Sequence, residues 1–367
     1  MLRATAIFLL TLASLGASTP LKRAPNLVVS LSTTSPAIDS VDGLSLTATV
    51  ENTSDQDIKI LKFGTVLDSN LPTNSFLVSR GAQSVPFTGV QIQLSMNDLT
   101  EDSFVTIPAG KSISATHTNL AALYKFDKFG VGSFTFTPKQ DFQVAGANSV
   151  VSDVADTLRV SAVVPSVDIH IGKDVSKRTL VAGEELEKRA RVSCSTSSSS
   201  SFISASYTEG KSLASLAANY ISSRGTSDSL FRAYFGASTS SKPLSVFTAV
   251  ANENSSSRTL NCSDPYGVCG NGVIAYTVTS TTNIYYCSIF YNEVTTSRLC
   301  SDTTVASRNV RGGTTLHELT HALSGTTDVG YGCSYDQTLA SSSPSRAQSN
   351  ADNYNCFATQ VYKNTQC

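Results

Sequence analysis

The chain has 367 residues, with 27 basic and 28 acidic side chains and a formal net charge of −1 at pH 7. This balance gives no electrostatic reason to expect nucleic acid or a membrane surface as a partner. The length is enough for two domains, and we expect a monomer.

The first 18 residues have the organisation of a secretory signal peptide. Arg3 is followed by an apolar run from Ala4 to Leu15 and then by small residues from Gly16 to Ser18. The apolar run is too short to cross a bilayer as a helix, and no later stretch is apolar enough to do so. The sequence therefore predicts a secreted, extracellular protein.

The next region of the chain is predicted to be rich in β-strands. Apolar and small polar residues alternate at 44–50 and at 133–137, and residues 157–171 are rich in β-branched side chains. Gly, Pro, Asn and Asp separate these runs, which is typical of a small antiparallel sheet or sandwich. The two histidines of the region, His117 and His170, have no metal-ligand partner at a useful spacing, and we expect them at the surface or in turns.

Two dibasic pairs mark a boundary in the chain. Lys177-Arg178 and Lys188-Arg189 lie just before residue 190, and every cysteine comes after that point. The second pair lies in a charged stretch, and exposed polar linkers are where proteases cut. We therefore predict a propeptide at 19–189 that is removed after the second pair, with Lys22-Arg23 as an earlier trimming site. The alternative is that this domain stays attached as a binding module.

The cysteines form an even set in a chain that we expect to be secreted, which is typical of a disulfide framework. Zinc–thiolate sites are the competing interpretation, but the sequence contains no CxxC pair. Asn52, Asn254 and Asn261 begin N-x-S/T sequons, which agree with a secretory route. The eight cysteines are Cys194, Cys262, Cys269, Cys287, Cys300, Cys333, Cys356 and Cys367.

Residues 190–367 are predicted to form the second domain, which is mainly helical with a small sheet. Apolar residues recur at helical spacing in 213–221 and in 354–362. Residues 273–278 and 284–290 predict a strand pair between these helices. A serine run near the start of the domain is expected to be flexible or glycosylated. The fold class predicted for the chain is therefore α+β, with a β-rich propeptide domain before a mainly helical domain.

Residues 317–321 read His-Glu-Leu-Thr-His, which is the HExxH pattern. Four residues along an α-helix advance about 6 Å and rotate about 40° beyond one turn, so both imidazoles point from one face. Two imidazoles suit a first-row metal, and Glu318 beside them can take a proton from water that the metal activates. Gly312 to Thr315 supply a turn and a threonine cap, so a helix start is expected there. The competing interpretation is a pair of partly buried structural histidines.

A catalytic zinc usually takes a third protein ligand. No glutamate follows Glu318, no histidine follows His321 and no methionine follows Met96, which excludes the thermolysin-like and metzincin ligand sets. A cysteine is possible in principle. The carboxylates that remain are Asp328, Asp336 and Asp352. The first of them follows a glycine turn that could fold the chain back under the helix and present the carboxylate to the metal.

The HExxH motif is followed by Gly325-Thr326-Thr327-Asp328-Val329-Gly330-Tyr331-Gly332. Together they resemble the aspzincins, and most closely the fungal deuterolysins, whose pattern is HExxH plus GTxDxxYG. The resemblance covers essentially the whole chain, from a signal peptide through a long propeptide ending in Lys-Arg to the catalytic domain. It implies a zincin-type catalytic domain with one zinc per chain, held by His317, His321 and Asp328.

The resemblance also implies roles for three further residues. Glu318 is expected to act as general base, and Tyr331 as a phenolic donor near the metal that stabilises an oxyanion. Asp352 is expected to orient a ligand or the base. The competing interpretations are a packing aromatic for Tyr331 and a helix-start or surface carboxylate for Asp352.

Two departures from the family pattern stand out. The gap between His321 and Gly325 is shorter than in the deuterolysins, so the turn that presents Asp328 is expected to differ. Phe290 stands where relatives have a tyrosine proposed to assist catalysis, so activity or specificity is expected to differ. Tyr291 is the weaker candidate to replace that hydroxyl.

The resemblance further implies three disulfides, Cys194–Cys262, Cys269–Cys287 and Cys300–Cys367. The two cysteines left over, Cys333 and Cys356, are then expected to form a fourth bridge, which would tie the Tyr331 loop to the last helix.

These observations predict a secreted zinc metalloendopeptidase, made as an inactive proenzyme, that cuts internal peptide bonds of proteins and peptides. Its own propeptide is expected to act as inhibitor or folding aid. The resemblance implies a preference for basic proteins such as histones and protamines. The alternative function is a secreted non-catalytic binding or surface protein with a structural zinc, although such sites normally have four protein ligands and only three are evident here.

Overall fold

The structure is a computed structural model that describes residues 26–152, 156–181 and 192–367. We call residues 26–181 the N-terminal segment and residues 192–367 the C-terminal segment. The predicted signal peptide and the pairs Lys22-Arg23 and Lys188-Arg189 lie outside the described residues. Among the described residues, none of the helices combines the length and the apolar character needed to cross a membrane.

The N-terminal segment is built from β-strands joined by turns and short 3₁₀ turns. Its strands are β1 (Leu27–Thr33), β2 (Ala37–Ser40), β3 (Leu46–Asn52), β4 (Ile58–Leu61), β5 (Phe76–Arg80), β6 (Gln83–Ser84), β7 (Val90–Leu94), β8 (Phe104–Ile107), β9 (Ser112–His117), β10 (Gly132–Pro138), β11 (Asp141–Gly146), β12 (Leu158–Ser161) and β13 (Val167–Asp174). The alternating runs seen in the sequence lie in β3 and β10, and the β-branched stretch supplies β12 and β13.

All of these strands except β7 pair within the N-terminal segment. They form three sheets with the strand orders β1-β3-β9, β2-β13-β10-β5-β6 and β12-β11-β4-β8. The pairings are antiparallel apart from β2 with β13. Because alternate residues of a strand face opposite sides, Leu46, Ala48 and Val50 of β3 all enter the apolar core.

The structure corrects the expectation for one of the two histidines in this segment. His117 is buried with 3% of its surface exposed, its Nε2 lies 3.0 Å from the carbonyl oxygen of Val66, and its ring packs edge-on against Phe76. Burial also lowers the pKa of His117. The reason is position, because His117 ends β9 on the side that faces the core. His170 is exposed in β13, as expected of a surface residue.

The C-terminal segment is mainly helical and carries a small sheet. Its elements are β14 (Val192–Ser193), α1 (Ser197–Arg224), α2 (Ser229–Phe235), α3 (Ser241–Ala251), β15 (Leu260–Asn261), β16 (Val273–Val278), β17 (Asn283–Tyr286), α4 (Arg311–Ser324), α5 (Cys333–Ser342), α6 (Pro344–Ala347) and α7 (Ala351–Gln366). Both predicted helices and the first predicted strand are confirmed. The second strand is shorter than predicted, because the chain turns into a 3₁₀ helix at Ser288–Asn292.

The long helix α1 supports the helix that carries the HExxH motif. Its first turn contains the serine run, Ser197–Ser201, so the expectation of a flexible start was wrong. The Thr196 side chain accepts a hydrogen bond from the Ser199 amide and satisfies that end of the helix. Where α1 crosses α4, a Cβ atom on Gly210 would lie 3.0 Å from the Gly312 carbonyl oxygen. Glycine at this crossing therefore lets the two backbones approach closely.

The small sheet joins the two segments of the chain. Its strand order is β14-β15-β17-β16-β7, so β7 of the N-terminal segment forms one edge beside β16 of the C-terminal segment. The two strands run antiparallel, with Ile92 opposite Tyr276 and Gln93 opposite Ala275. Apolar residues of both segments also share a core, in which Leu94 and Met96 are buried with residues of the C-terminal segment such as Leu339.

Four disulfides lie within the C-terminal segment, and their Cα–Cα distances run from 5.0 to 5.5 Å. All four predicted pairs are confirmed. The fourth joins Cys333 at the start of α5 to Cys356 in α7. The bonded pairs are Cys194–Cys262, Cys269–Cys287, Cys300–Cys367 and Cys333–Cys356.

The three sequons differ in exposure. Asn52 is fully buried, and its side-chain nitrogen donates to the carbonyl oxygens of Gln56 and Ile107. Asn261 is also buried, whereas Asn254 is exposed. A glycan needs a side-chain nitrogen that reaches solvent, so Asn254 is the sequon of the three that can carry one in this fold.

Candidate active site

The helix α4 holds the motif in the middle of the C-terminal segment. It begins at Arg311, and the residue before it, Val310, offers no side-chain cap, so the predicted threonine cap was wrong. Thr314 and Thr315 lie inside the helix and are fully buried. Thr314 donates its hydroxyl to Glu293 at 2.7 Å, because a buried hydroxyl needs a partner and this carboxylate packs against the helix.

Three side chains converge at the end of this helix. The Nε2 atoms of His317 and His321 lie 3.1 Å apart, and the Oδ1 atom of Asp328 lies 3.1 Å from the first and 3.3 Å from the second. Gly325 ends the helix with a φ of 61°, which lets the chain reverse direction. The short gap after His321 therefore still brings Asp328 to both imidazoles.

The orientation of each imidazole is set by the contact of its other nitrogen. His321 Nδ1 lies 2.8 Å from the Thr326 carbonyl oxygen, which can only accept, so Nδ1 is a donor and Nε2 is the nitrogen that faces Asp328. His317 Nδ1 faces Asp352 Oδ1 at 3.7 Å, which is beyond hydrogen-bond distance. Burial lowers the pKa of His317, but the carboxylates of Asp328 and Asp352 outweigh it and raise that pKa to about 9.

The Asp328 carboxylate is also held from its other side. Its Oδ2 atom accepts a hydrogen bond from the Ile92 amide of β7 at 2.9 Å, and its own amide donates to Gln91 Oε1 at 3.3 Å. Burial raises the pKa of Asp328, but the imidazoles of His321 and His317 outweigh it and hold that pKa well below its usual range. The carboxylate is therefore ionised and fixed in direction.

Glu318 is the buried carboxylic acid between the two histidines. Its Oε2 accepts a hydrogen bond from the Thr277 hydroxyl of β16 at 2.6 Å, while its Oε1 has no hydrogen-bond partner in the described part of the chain. Burial raises the pKa of Glu318 to about 7, although the charges of His317 and His321 oppose the shift. A carboxyl group with a pKa near 7 and one oxygen left without a partner among the described residues suits proton transfer.

Tyr331 is buried beside the same group. Its hydroxyl donates to the Ile92 carbonyl oxygen at 2.8 Å. Burial, together with the charges of Asp328 and Asp352, raises the pKa of Tyr331 well above its usual value, so the phenol keeps its proton. The side chain both packs in the shared core and offers a hydrogen-bond donor to a peptide carbonyl.

Asp352 is fully buried near the start of α7, so the interpretation as a surface carboxylate was wrong. Its Oδ1 accepts from Arg308 Nε at 2.9 Å and Nη2 at 2.5 Å, and its Oδ2 accepts from the Gly332 amide at 2.5 Å. Burial raises the pKa of Asp352, but Arg308 and His317 outweigh it and lower that pKa. Sequence reasoning missed Arg308, a single arginine in a loop with a φ of 47° and no motif around it.

Asp336, the third carboxylate considered from the sequence, lies away from the converging group. Its Oδ1 accepts from the Asn350 side chain at 2.9 Å. Burial and the charge of Asp352 raise its pKa well above the usual value. It groups with Cys333 and Cys356, whose sulfurs are bonded to each other.

Phe290 takes a place in the aromatic core. It is fully buried, with its ring centroid 4.3 Å from Tyr286 and 5.3 Å from Phe202. The Tyr291 hydroxyl points to Cys262 Sγ at 2.9 Å. Neither residue therefore places a hydroxyl against the histidine pair, and the effect of this departure on activity stays a prediction.

The donor set suits a metal ion. Two imidazole nitrogens and one carboxylate oxygen converge within 3.1 to 3.3 Å of one another. Nitrogen and oxygen donors of this kind, with one side left for a further ligand, are typical of catalytic zinc. The unpartnered oxygen of Glu318 lies beside them. The residues present therefore fit a zinc ion.

A helix-borne histidine pair with an adjacent glutamate, and with a carboxylate as the third candidate ligand, is the arrangement of a metalloprotease. Comparison with known proteins agrees with this class. The sequence profile described as the deuterolysin metalloprotease (M35) family matches residues 1–367. The chain belongs to this family and is a zinc metalloendopeptidase, which confirms the resemblance seen in the sequence.

Two relatives and one solved structure illustrate the likeness. The chain is 32% identical to a neutral protease 2 homolog of Aspergillus terreus over 98% of each protein. It is 30% identical to the peptidyl-Lys metalloendopeptidase of Armillaria mellea, over 91% of this chain and 92% of that protein. A zinc peptidase from Grifola frondosa is similar at 24% identity and a TM-score of 0.35, over 45% of this chain and 96% of that chain.

Proposed function

We propose that the protein is a secreted endopeptidase, made as an inactive proenzyme, in which Glu318 is the general base. The observation that carries this proposal is the buried Oε1 of Glu318, which has no partner within the described residues and lies beside His317, His321 and Asp328. A free buried oxygen normally costs stability, so its retention here points to chemistry.

His317, His321 and Asp328 would hold one zinc ion per chain. When bound, zinc supplies Lewis acidity, which polarises a peptide carbonyl and lowers the pKa of water. Asp352 orients His317 through its charge, and Arg308 in turn fixes Asp352.

Two side chains of the protein then act at the peptide bond, one by transferring a proton and one by donating a hydrogen bond. Glu318 Oε1 accepts the proton of the attacking water and passes it to the leaving amine, for which a pKa of about 7 is well suited. The Tyr331 hydroxyl, which keeps its proton, donates to the carbonyl oxygen as negative charge develops there.

Residues 19–189 are proposed to be a propeptide that inhibits the enzyme and assists its folding. Two contacts support inhibition: β7 pairs with β16, and Ile92 hydrogen-bonds to both Asp328 and Tyr331. A role in folding is supported by the apolar core that the two segments share. Cleavage after Arg189 would allow the N-terminal segment to leave.

Secretion is supported by the four disulfides, which persist in oxidising compartments. Protein and peptide substrates follow from the class of enzyme. A preference for basic proteins rests on the family resemblance alone.

The test is casein hydrolysis by the processed protein, together with metal analysis, before and after chelation and zinc return. We expect activity to be lost and restored, with about one zinc per chain. The intact mass of the secreted protein should correspond to a chain starting after Arg189. Stoichiometric zinc without proteolysis in fully processed protein would favour the structural-zinc alternative.

A further inference from the structure

The strand β7 lies along β16 as an extended peptide. The Tyr331 hydroxyl donates to the Ile92 carbonyl oxygen at 2.8 Å, and the Asp328 carboxylate accepts from the Ile92 amide at 2.9 Å. If Tyr331 acts on the carbonyl of the bond to be cut, the peptide bond between Ile92 and Gln93 lies where that bond would lie. Gln93 then stands where the substrate residue after the cut bond would stand, and its side chain occupies the pocket for that residue.

This side chain enters a polar pocket at the side of α4. Gln93 is fully buried, and its Nε2 donates to the Thr314 hydroxyl oxygen at 3.2 Å. Thr314 donates its own proton to Glu293 Oε1 at 2.7 Å. Because the single hydroxyl proton is used in this way, the Thr314 oxygen can only accept, and its partner must be a donor.

Glu293 provides a second acceptor in the same pocket. It is 8% exposed, and its Oε2 has no hydrogen-bond partner in the described ranges. The Oε1 of Gln93 is likewise buried without a partner among them. The neutral amide thus satisfies Thr314 but leaves one carboxylate oxygen unused. A larger donor, or a cation, would satisfy both acceptors.

We propose that Thr314 and Glu293 form the pocket that selects the substrate residue after the cut bond, and that they favour a side chain ending in an N–H donor. Glutamine, lysine and arginine side chains fit this description. Acidic side chains are rejected, because they would place two carboxyl groups together in a buried site. The inference rests on the proposed function, since it takes β7 as the stand-in for a substrate.

The competing explanation is that the chain from Gln93 through Thr314 to Glu293 only holds the two segments together. In that case Glu293 would affect the stability of the full chain but not the choice of substrate by the processed enzyme. The ratio of specificity constants for matched substrates separates the two explanations.

The test uses the processed, zinc-loaded protein and four peptides that differ only in the residue after the cut: Lys, Gln, Leu or Glu. We expect kcat/KM to be highest for Lys and Gln and lowest for Glu. In assays above pH 8, where Glu293 is ionised, Glu293→Gln should reduce the preference for Lys over Glu by roughly tenfold or more, because the charge that separates them is gone. Asp302→Asn, which removes an exposed carboxylate paired with Arg298, should leave the ratios unchanged.

Two results would overturn the proposal: a wild-type preference for Leu over both Gln and Lys, or a Glu293→Gln variant with the wild-type profile. Casein hydrolysis by the same preparation separates these failures from failure of the proposed function. If casein is cut and the peptide ratios are flat, the pocket is misassigned. If casein is not cut, the assigned function and the inference fall together.

A second measurement uses the full chain, with Lys188 and Arg189 replaced by alanine so that it stays uncut. Gln93→Glu should raise the basal peptide hydrolysis of this precursor by roughly tenfold, because it brings a second carboxyl group to Glu293. Adding Glu293→Gln should lower the hydrolysis again, which gives a double-mutant cycle. Gln83→Glu, on an exposed strand of the same segment, is the matched control. Equal hydrolysis by the Gln93→Glu and wild-type precursors would contradict the inference.

Discussion

The two segments of this chain bury different kinds of side chain. The N-terminal segment is closed by an apolar core, in which Phe126, Phe134 and Phe136 are at most 2% exposed, and it contains no cysteine. The C-terminal segment buries charged and polar groups along α4 and α7, and four disulfides cross-link it. The core of the first is mainly apolar, whereas the core of the second must also hold a reactive group in place.

The difference shows where the protein keeps buried groups that lower its stability. Buried polar groups are costly unless each has a partner, and most of those in the C-terminal segment have one. In the described residues, the exceptions include single oxygens of Glu318, on α4, and of Glu293, which accepts from Thr314 of the same helix. Unsatisfied groups of this kind are expected at functional sites, where stability gives way to activity.

The largest effect is expected from Glu318→Gln. Casein hydrolysis by the processed protein should fall by about 10²–10⁴, because the amide cannot accept the proton. Zinc content should stay at the wild-type level, since Glu318 is not proposed as a ligand. The free energy of unfolding should not fall, because a neutral amide is easier to bury than a carboxylate.

Asp302→Asn, which removes an exposed carboxylate paired with Arg298, serves as the control for this variant and should keep wild-type activity. Normal casein hydrolysis by Glu318→Gln would show that the general base is misassigned. A large loss of stability in Glu318→Gln would show that this buried carboxyl group stabilises the fold. That result would contradict the contrast between the two segments.

The next effect tests the apolar core of the N-terminal segment. Phe136→Ala in β10 should lower the free energy of unfolding of this segment by about 3–5 kcal/mol, through lost burial and the cavity left behind. Leu77→Ala on the neighbouring strand β5 is the control, because Leu77 is 61% exposed. Denaturant titration of the full chain measures both, and equal losses would mean that the segment has no defined core.

The disulfides of the C-terminal segment should contribute somewhat less. Replacing Cys333 and Cys356 together with alanine should lower its free energy of unfolding by about 2–4 kcal/mol. It should also lower activity, because this bridge follows the Tyr331 loop. Replacing Cys300 and Cys367 should destabilise the protein to a similar extent but spare activity. Thermal unfolding and casein hydrolysis compare the two pairs, and equal losses of activity would contradict a local role for the first.

The smallest effect is a pH dependence caused by Glu293. Burial raises its pKa from 4.5 to about 8. The folded full chain therefore binds one more proton than the unfolded chain between these values, so this contribution to stability is lost as pH rises from about 4.5 to about 8. Glu293→Gln should remove the dependence and raise the free energy of unfolding at pH 8 by about 1–2 kcal/mol. Unfolding of both proteins at pH 5 and pH 8 measures the difference, and parallel curves would contradict the assignment.

Local patterns were enough to predict several features of the fold. Alternation predicted the strands β3 and β10, and helical spacing predicted α1 and α7, because these signals depend only on neighbours along the chain. Residues 273–278 were predicted as a strand and form β16. The family resemblance predicted three disulfide pairs, and the fourth was inferred from the two cysteines left over. The same kind of reasoning failed for Thr314 and Thr315, which look like a helix cap but are buried inside α4, and for the buried His117.

The residues missed in the site share one property, which is that their partners are distant in sequence. Arg308 is 44 residues from Asp352 and 214 residues from Leu94, and it contacts both. Glu293 is separated from Thr314 by 21 residues and carries no motif. The alternation of apolar residues and glutamines in 90–94 indicates a strand, but it does not indicate which strand pairs with it.

The sequence by itself determined the metalloprotease class, the histidine pair and its glutamate, because helix geometry fixes the relation of residues four apart. It also narrowed the third ligand to a few carboxylates by elimination. The family resemblance implied Asp328 as the third ligand, and the structure brings its carboxylate to both imidazoles. Tertiary structure alone decided that Arg308 pairs with Asp352 and that β7 lies beside β16 with Gln93 against Thr314. These contacts join residues tens to hundreds of positions apart, and their geometry depends on packing that no local pattern encodes.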